Sequence, residues 1–232
     1  MDYSNYMTIN YAIPLIGFLI TFVAQMYVNN SYNKYKYQSL KRKMTGAEIA
    51  RIILDQNGLR DVKIQQVKGN LTDHYDPRKK VVSLSSDIYN GDTIAAASVA
   101  AHECGHAIQH NVGYIFLKIR SLLVPFVNFS TKIGYLVVII GIIFSFFDLA
   151  VIGLILLLGM LLFQVITLPV EFNASSRAKK QLIELNLIEN YELNDSKTML
   201  NAAALTYVAS VLTTLLQILR LALIVFGNRR DD

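Results

Sequence analysis

The stretch Ala100-Ala101-His102-Glu103-Cys104-Gly105-His106-Ala107 places two histidines four residues apart, with a glutamate after the first. Residues four apart share a face of an α-helix, so His102 and His106 can bind one metal ion together. Glu103 is the residue type that removes a proton from the attacking water in such sites. The spacing favours a hydrolytic zinc centre over its alternative, two core histidines beside a solvated glutamate.

The residues around this stretch predict that it is helical. Asn90-Gly91-Asp92 offers an N-cap, and we expect the helix to run from about Thr93 to about His110 and to stop at Gly113. The alanines before the motif allow a neighbouring element to pack closely against it.

The composition of the chain indicates a membrane protein. Of its 232 residues, 53% are hydrophobic, more than a soluble domain usually contains. The formal net charge is +5, but the basic residues cluster beside apolar runs, so a membrane-flanking role explains them better than nucleic-acid binding does. Cys104 is the single cysteine, which excludes an internal disulfide and leaves the catalytic part free to be cytosolic.

Four apolar segments predict transmembrane helices. Ile9 to Val28 is an uncharged first span, which we interpret as an uncleaved anchor because no basic residue precedes it. Ile133 to Phe147 and Leu149 to Leu168 predict a transmembrane hairpin with a tight outer turn at Asp148. A last helix is expected to reach Phe226.

The charges that flank these segments predict their orientation. Tyr114 to Phe129 is apolar but contains Lys118 and Arg120, so we interpret it as an interfacial helix. Basic residues mixed with tyrosines are typical of a cytoplasmic interface and follow the first span directly. They are Tyr27, Tyr32, Lys34, Tyr35, Lys36, Tyr37, Lys41, Arg42 and Lys43. The N-terminus is therefore expected outside, and the motif helix is expected to face the cytoplasm.

A small soluble part is predicted between the first span and the motif helix. Thr45-Gly-Ala-Glu48 is a capping box that begins an amphipathic helix. Val62 to Val67 indicates a strand, and Asn70 to Tyr75 with Val81 to Ser85 indicates a hairpin around Asp76-Pro77-Arg78.

These elements define the predicted fold class. We expect a mainly α membrane protein with about four transmembrane helices and a small α+β cytoplasmic metallopeptidase subdomain. The segments divide into an anchor at 1–28, the α+β subdomain with the motif helix at 29–113, an interfacial helix and transmembrane hairpin at 114–170, and a third-ligand helix with a C-terminal membrane helix at 171–232.

A catalytic zinc ion needs a third protein ligand. His110 lies eight residues beyond His102, about 12 Å along the axis, too far to share the ion. Cys104 points away from the ligand face, and His74 is more easily explained as a structural or oxyanion-stabilising residue. Glu171 is the remaining candidate, because the hairpin returns the chain to the cytoplasmic side just before it.

The last helix carries a polar stripe within apolar surroundings. Its members recur at spacings of three and four and are Thr206, Ser210, Thr213, Gln217 and Arg220. Such a stripe is expected to face protein, and interhelical hydrogen bonding is favoured over a role in lining a substrate path.

Four runs in the chain resemble one family, the YugP-like neutral zinc metallopeptidases of bacterial membranes. They are Ala-Ala-His-Glu-x-Gly-His-Ala-Ile-Gln at 100–109, Leu-Thr-Asp-His-Tyr-Asp at 71–76, Leu-Pro-Val-Glu-Phe-Asn-Ala-Ser at 168–175 and Ala-Ala-Ala-Leu-Thr-Tyr-Val-Ala at 202–209. More remotely, the order of the motif, a hairpin and a glutamate is similar to HtpX and the CAAX prenyl proteases, both gluzincins. The resemblance implies a minimal gluzincin-like scaffold with one Zn²⁺ per chain, bound by His102, His106 and Glu171, and a catalytic Glu103.

One position departs from the wider gluzincin pattern. That pattern is Glu-x-x-x-Asp, in which the aspartate orients a zinc-bound histidine, whereas this chain has Ser175 there. Serine can still accept a hydrogen bond, and Asn173 or Asp73 could take over the role, so the partner of the histidines stays open. Further candidates, for stabilising the oxyanion, are Tyr207, Arg177 and His74.

These observations predict a membrane-embedded, zinc-dependent endopeptidase that hydrolyses peptide bonds at the cytoplasmic interface of the cell membrane. Its expected partners are membrane lipid and a peptide or membrane-protein substrate. Nucleic acid is not expected as a partner, and whether the protein forms a homo-oligomer is left open. One alternative is an intramembrane-cleaving protease, although the Leu-Asp-Gly context typical of such enzymes is missing and Lys118 and Arg120 follow the motif closely. Another alternative is a non-catalytic membrane scaffold or chaperone.

Overall fold

The computed structural model describes residues 7–228 of the chain. A π-helix at Thr8–Ala12 leads into the first of seven α-helices within this range. The helices are α1 (Ile13–Tyr35), α2 (Gly46–Gln56), α3 (Ser86–Asn90), α4 (Ile94–Asn111), α5 (Ile115–Ile143), α6 (Phe147–Glu184) and α7 (Leu193–Asn228). The strands are β1 (Lys63–Val67), β2 (His74–Asp76) and β3 (Val81–Ser85).

Four helical stretches are long and apolar enough to cross a membrane. They are Thr8–Tyr35, Ile115–Ile143, Phe147–Glu184 and Leu193–Gly227. Each exceeds the roughly 20 residues that span a hydrocarbon core of about 30 Å. The predicted fold class, a mainly α membrane protein with about four transmembrane helices and a small α+β part, is confirmed.

The chain forms two compact units. The first comprises residues 1–25, 119–168 and 206–232 as far as they are described, and its helices pack through small residues. A Cβ added to Gly141 would lie 2.5 Å from the backbone nitrogen of Ala150, and one added to Gly153 would lie 2.7 Å from that of Val138. Glycine at these points therefore lets α5 and α6 approach closely, which strengthens dispersion contacts where lipid supplies no hydrophobic drive.

Two members of the polar stripe of α7, Thr213 and Arg220, bond to another helix, as predicted, whereas Ser210 is exposed and donates to the carbonyl of Thr206 in its own helix. The hydroxyls of Thr213 and Thr21 lie 3.0 Å apart, and Thr213 also donates to the carbonyl of Gly17 at 3.3 Å. Arg220 donates through Nε to the carbonyl of Ile9, in the π-helix, at 3.1 Å. These bonds satisfy polar groups that hydrocarbon could not.

The prediction of a separate interfacial helix before the hairpin is wrong. Tyr114 to Phe129 and the predicted span from Ile133 belong to one continuous helix, α5, which passes through Pro125. Lys118 and Arg120 interrupt the apolar pattern of side chains but not the backbone, and a helix in apolar surroundings gains from continuing because each turn satisfies backbone polar groups. Likewise, α6 continues through Pro169 to Glu184.

The second unit comprises residues 26–118 and 169–205 and contains the sheet. The strand order is β1-β3-β2, with β3 parallel to β1 and antiparallel to β2. The predicted hairpin is confirmed, but β2 begins at His74 instead of Asn70. The preceding residues turn, since Gly69 and Leu71 have φ values of +100° and +56°, which a strand does not contain.

Helix ends in the second unit follow local capping. The predicted capping box is present: Thr45 N–H donates to Glu48 Oε2 at 2.8 Å, and Glu48 N–H donates to Thr45 Oγ1 at 3.3 Å. The N-cap of α4 is Thr93, whose Oγ1 accepts from Ala96 N–H at 3.2 Å, instead of the predicted Asn90-Gly91-Asp92. A threonine hydroxyl one residue before the helix can reach the third backbone donor, which a side chain farther upstream cannot.

The core of the second unit surrounds α4. The alanines of its first turns are fully buried, and large aliphatic side chains of other elements fill the space around them. These include Leu40, Ile49, Ile53, Leu54, Leu84 and Ile88, each at most 1% exposed. Burying each such side chain stabilises the fold by about 2 kcal/mol, so α4 is held firmly by its alanine face while its histidine face stays available.

Candidate metal centre

Two helices of the second unit meet at a glycine. A Cβ added to Gly105 of α4 would lie 2.6 Å from the carbonyl oxygen of Ala174 in α6, a distance that side chains do not adopt. Ala174 and Ala178 are fully buried at this contact. Because the two backbones touch here, side chains next to the contact or one turn from it on each helix can reach one another. They are His102 and His106 on α4 and Glu171 on α6.

The three predicted metal ligands converge. Glu171 Oε2 lies 3.3 Å from His102 Nε2 and 3.5 Å from His106 Nε2. One ligand atom from each residue falls within 4.8 Å of the other two. The side chains of His102, His106 and Glu171 are 15%, 12% and 3% exposed, so the cluster is largely shielded from water.

Gln109 fixes the orientation of His106. Its Nε2 donates to the carbonyl of Val170 at 2.7 Å and to Asn173 Oδ1 at 2.9 Å, so its Oε1 must be the atom 3.0 Å from His106 Nδ1. An amide oxygen only accepts, so His106 carries its proton on Nδ1 when it is neutral. Nε2 then holds a lone pair directed toward Glu171.

Ser175 performs the corresponding role for His102. Its Oγ lies 3.2 Å from His102 Nδ1. Asn173 accepts hydrogen bonds from Gln109 and Arg177, and Asp73 accepts from the backbone and hydroxyl of Ser85 at 2.7 and 3.1 Å. Of the three candidates that the sequence left open, Ser175 is the one that contacts an imidazole directly, and Gln109 contacts the other imidazole.

The donor set fits a zinc ion. Two imidazole nitrogens and one carboxylate oxygen are a set used by catalytic zinc sites, which leave a fourth position for water or substrate. Each imidazole uses Nδ1 for a protein hydrogen bond and keeps Nε2 for the shared centre, as metal-ligating histidines do. A divalent cation would also offset the negative charges of Glu171 and Glu103, which are both buried.

Glu103 is poised to accept a proton. Burial raises the pKa of its carboxyl above the ordinary value, and the positive charges of His102 and His106, when protonated, partly offset this. A carboxylate whose pKa is raised toward neutral pH is a stronger base than an exposed glutamate.

Two other predicted residues of this unit, His74 and Arg177, bond to groups other than the three ligands. His74 is exposed, and its Nδ1 lies 2.8 Å from the carbonyl of Thr72. Arg177 donates through Nε to Asn173 Oδ1 at 2.8 Å, so it reaches His106 only through Asn173 and Gln109. Tyr207 belongs to the first unit and is 36% exposed.

The two residues excluded as ligands are also accounted for. His110 is exposed, with Nδ1 3.0 Å from the hydroxyl of Tyr75. Cys104 is fully buried on the face toward α2, where its thiol points to the carbonyl of Ala50 at 3.6 Å. Burial raises the pKa of this thiol, so it stays protonated.

Sequence reasoning missed Gln109. The signal was its position three residues after His106, which places both side chains on the same face of a helix. Because glutamine is common on helices for other reasons, the spacing alone did not single it out.

Comparison with known proteins agrees with this centre. The family model described as "Putative neutral zinc metallopeptidase" matches residues 10–226. The chain is 46% identical over 213 residues to the "Putative membrane protease YugP" of Bacillus subtilis (strain 168), an alignment that covers 92% of this chain and 94% of that protein. No solved structure matches it. The chain therefore belongs to the neutral zinc metallopeptidase family, as its sequence motifs implied.

Proposed function

We propose that this multi-pass membrane protein is a zinc-dependent endopeptidase that cleaves peptide bonds at the cytoplasmic face of the membrane. The observation that carries the proposal is the convergence of His102, His106 and Glu171 beside the buried Glu103. Membership of the metallopeptidase family supports the same chemistry.

The three converging side chains would hold one zinc ion per chain. Ser175 and Gln109 would keep His102 and His106 turned with Nε2 inward, so little reorganisation is needed when the metal binds. When bound, zinc polarises the carbonyl of a substrate and makes a water molecule easier to deprotonate.

Glu103 would act as the general base and then the general acid. Its carboxylate takes a proton from the attacking water, and the resulting carboxylic acid gives that proton to the nitrogen of the leaving amine. The pKa of Glu103, raised by burial, suits both halves of this exchange, because the carboxyl group must accept and release one proton in each turnover.

The cytoplasmic orientation rests on the distribution of charge. Basic residues follow the first span directly, and others follow the hairpin, at Arg177, Lys179 and Lys180. Both sets belong to the unit that contains the metal centre, which supports placing that centre on the cytoplasmic side.

A paired measurement of metal content and cleavage tests the proposal. Wild type and Glu103→Gln, purified in one detergent, are analysed for zinc and assayed on an unfolded protein substrate. We expect about one zinc per chain in both and loss of cleavage only in Glu103→Gln, with a fall of at least about a thousandfold. Glu184→Gln, which changes an exposed glutamate of α6, is the matched control and should cleave normally.

Three results would contradict it. Cleavage by Glu103→Gln at the wild-type rate would show that Glu103 is not the general base. Absence of zinc from wild type, together with absence of cleavage, favours a scaffold or chaperone instead. Cleavage confined to substrates whose scissile bond lies within the bilayer favours the intramembrane alternative.

A further inference from the structure

The exposed face of α5 carries a row of polar side chains. Asn128, Lys132 and Tyr135 follow one another at spacings of four and three, so they share one face of the helix. All three are exposed. Within residues 7–228, no hydrogen bond, ion pair or ring contact joins the side chain of any of them to another group.

The packing of α5 on α6 gives the depth of this row. A Cβ added to Gly134 would lie 3.1 Å from Leu157 Cδ2, and one added to Gly159 would lie 3.0 Å from Cε1 of Phe126. Lys132 lies between Phe126 and Gly134 on α5. It is therefore level with residues 157–159 of α6.

That level is the middle of the most apolar segment in the chain. The run from Leu149 to Leu168 has twenty residues without charge, about 30 Å of helix, which matches the hydrocarbon thickness. Lys132 thus lies about 15 Å from either boundary, whereas a lysine side chain reaches only about 6 Å along its stem. Snorkelling to the interface cannot hydrate its ammonium without strong local thinning of the bilayer.

Lipid chains offer no hydrogen-bonding or charged partner to the polar side chains of this row. The ammonium of Lys132 and the amide of Asn128 need polar partners, and hydrocarbon offers none. Intramembrane lysines in proteins almost always pair with another group. The exposed face of α5 therefore needs a covering protein surface.

The positive charge of Lys132 indicates what kind of protein surface covers this face of α5. A second copy of this chain with the same orientation would bring another Lys132 to the same depth, which is repulsive. The membrane segments 8–28, 119–143, 149–168 and 206–226 contain no aspartate or glutamate, so a second copy supplies no carboxylate there. We propose that this face of α5 docks a transmembrane helix of another protein that carries an aspartate or glutamate near the centre of the bilayer.

In this arrangement, Lys132 pairs with the carboxylate, while Asn128 and Tyr135 hydrogen-bond to the partner helix about one turn to either side. The inference goes beyond the proposed peptidase activity, since it depends on neither zinc nor Glu103. It applies equally to a membrane-protein substrate and to an adaptor.

Model transmembrane peptides test the proposal. The full chain, labelled with an acceptor dye, is reconstituted in phosphatidylcholine vesicles with donor-labelled leucine–alanine helices of about 21 residues. Their central residue is aspartate, leucine or lysine. We expect the aspartate peptide to associate about tenfold more strongly than the leucine peptide, and the lysine peptide to associate least, by energy transfer.

Variants of the chain make the assignment specific. Lys132→Leu should lose the preference for aspartate, and Lys132→Asp should prefer the lysine peptide. Lys118→Leu, in the first turn of α5, is the matched control and should behave as wild type. Equal association of all three peptides with wild type overturns the proposal and needs no variant to fold. Energy transfer between two copies of wild type that is lost in Lys132→Leu also overturns it, because the face then belongs to a second copy.

Discussion

At the scale of single residues, the feature that distinguishes this centre is how its two histidines are held. The hydroxyl of Ser175 is hydrogen-bonded to Nδ1 of His102, and the amide oxygen of Gln109 accepts from Nδ1 of His106, so neither imidazole is held at Nδ1 by a carboxylate. The amide of Gln109 is itself fixed by the carbonyl of Val170 and by Asn173. The preorganisation of the centre therefore depends on a neutral network of hydrogen bonds.

Replacing Gln109 by leucine should weaken metal binding. The variant keeps the volume of the side chain but removes the acceptor that holds His106, so the imidazole can rotate and change its tautomer. Zinc affinity should fall by about 10- to 100-fold, as measured by competition with a chelator. Gln66→Leu, an exposed change on β1, is the control, and an equal loss in both variants would show that Gln109 acts only on folding.

The affinity for zinc should also depend on pH in a defined direction. Burial lowers the pKa of His106, but its hydrogen bond to Glu171 and the charges of Glu103 and Glu171 outweigh burial, so the pKa is raised above the ordinary value. A proton on Nε2 competes with the metal, so affinity is full above this raised pKa and is lost as the pH falls through it. Titration from about pH 8 to about pH 5 should show the loss beginning above pH 6.5, the ordinary pKa of histidine. A loss that begins only below that value contradicts the prediction.

At the scale of secondary-structure elements, the contact between α4 and α6 builds the centre. Gly105 lies on the motif helix, between the two histidines, and its missing side chain is what admits the backbone of α6. Glu171, which lies one turn before the contact, is brought to the histidines by this approach and by the continuity of α6 through Pro169.

Gly105→Ala should separate the two helices. Its Cβ would meet the carbonyl oxygen of Ala174 at 2.6 Å, so α6 must shift away and carry Glu171 with it. We expect zinc affinity to fall and the free energy of unfolding to drop by about 1–3 kcal/mol, from denaturant titration with and without zinc. Gly17→Ala is a suitable control, because its Cβ would make an ordinary contact at 3.4 Å with Thr213. If Gly105→Ala binds zinc as wild type does, the close contact is not what positions Glu171.

The same elements show how far sequence could predict this structure. The capping box at Thr45, the strand β3 and the helix of the motif depend on local signals, and they are found where expected. The parallel pairing of β1 with β3 and the continuity of α5 are set by long-range packing and by backbone hydrogen bonding in an apolar medium. Hydrophobic periodicity reports neither. The bond between Gln109 and His106 is local, but it joins two polar side chains, to which hydrophobic periodicity is equally blind.

At the scale of the whole molecule, the orientation in the membrane decides where the proposed peptidase acts. Successive transmembrane helices cross the membrane in opposite directions. Labelling one turn expected on each side of the membrane is therefore enough to determine the topology. The chain offers a clean background for cysteine labelling, because Cys104 is fully buried and burial raises the pKa of its thiol.

Single cysteines placed in the exposed turns should therefore report the topology directly. Ser145→Cys, in the turn between α5 and α6, should react with a membrane-impermeant maleimide in intact cells, since the predicted hairpin turns on the outer side. Tyr37→Cys, at a position 78% exposed after α1, should react only after the membrane is permeabilised, because the basic residues around it favour the cytoplasm. Wild type should stay unlabelled in both conditions and is the control for Cys104. Labelling of Tyr37→Cys but not Ser145→Cys in intact cells would reverse the topology and place the metal centre outside, where a cytoplasmic substrate could not reach it.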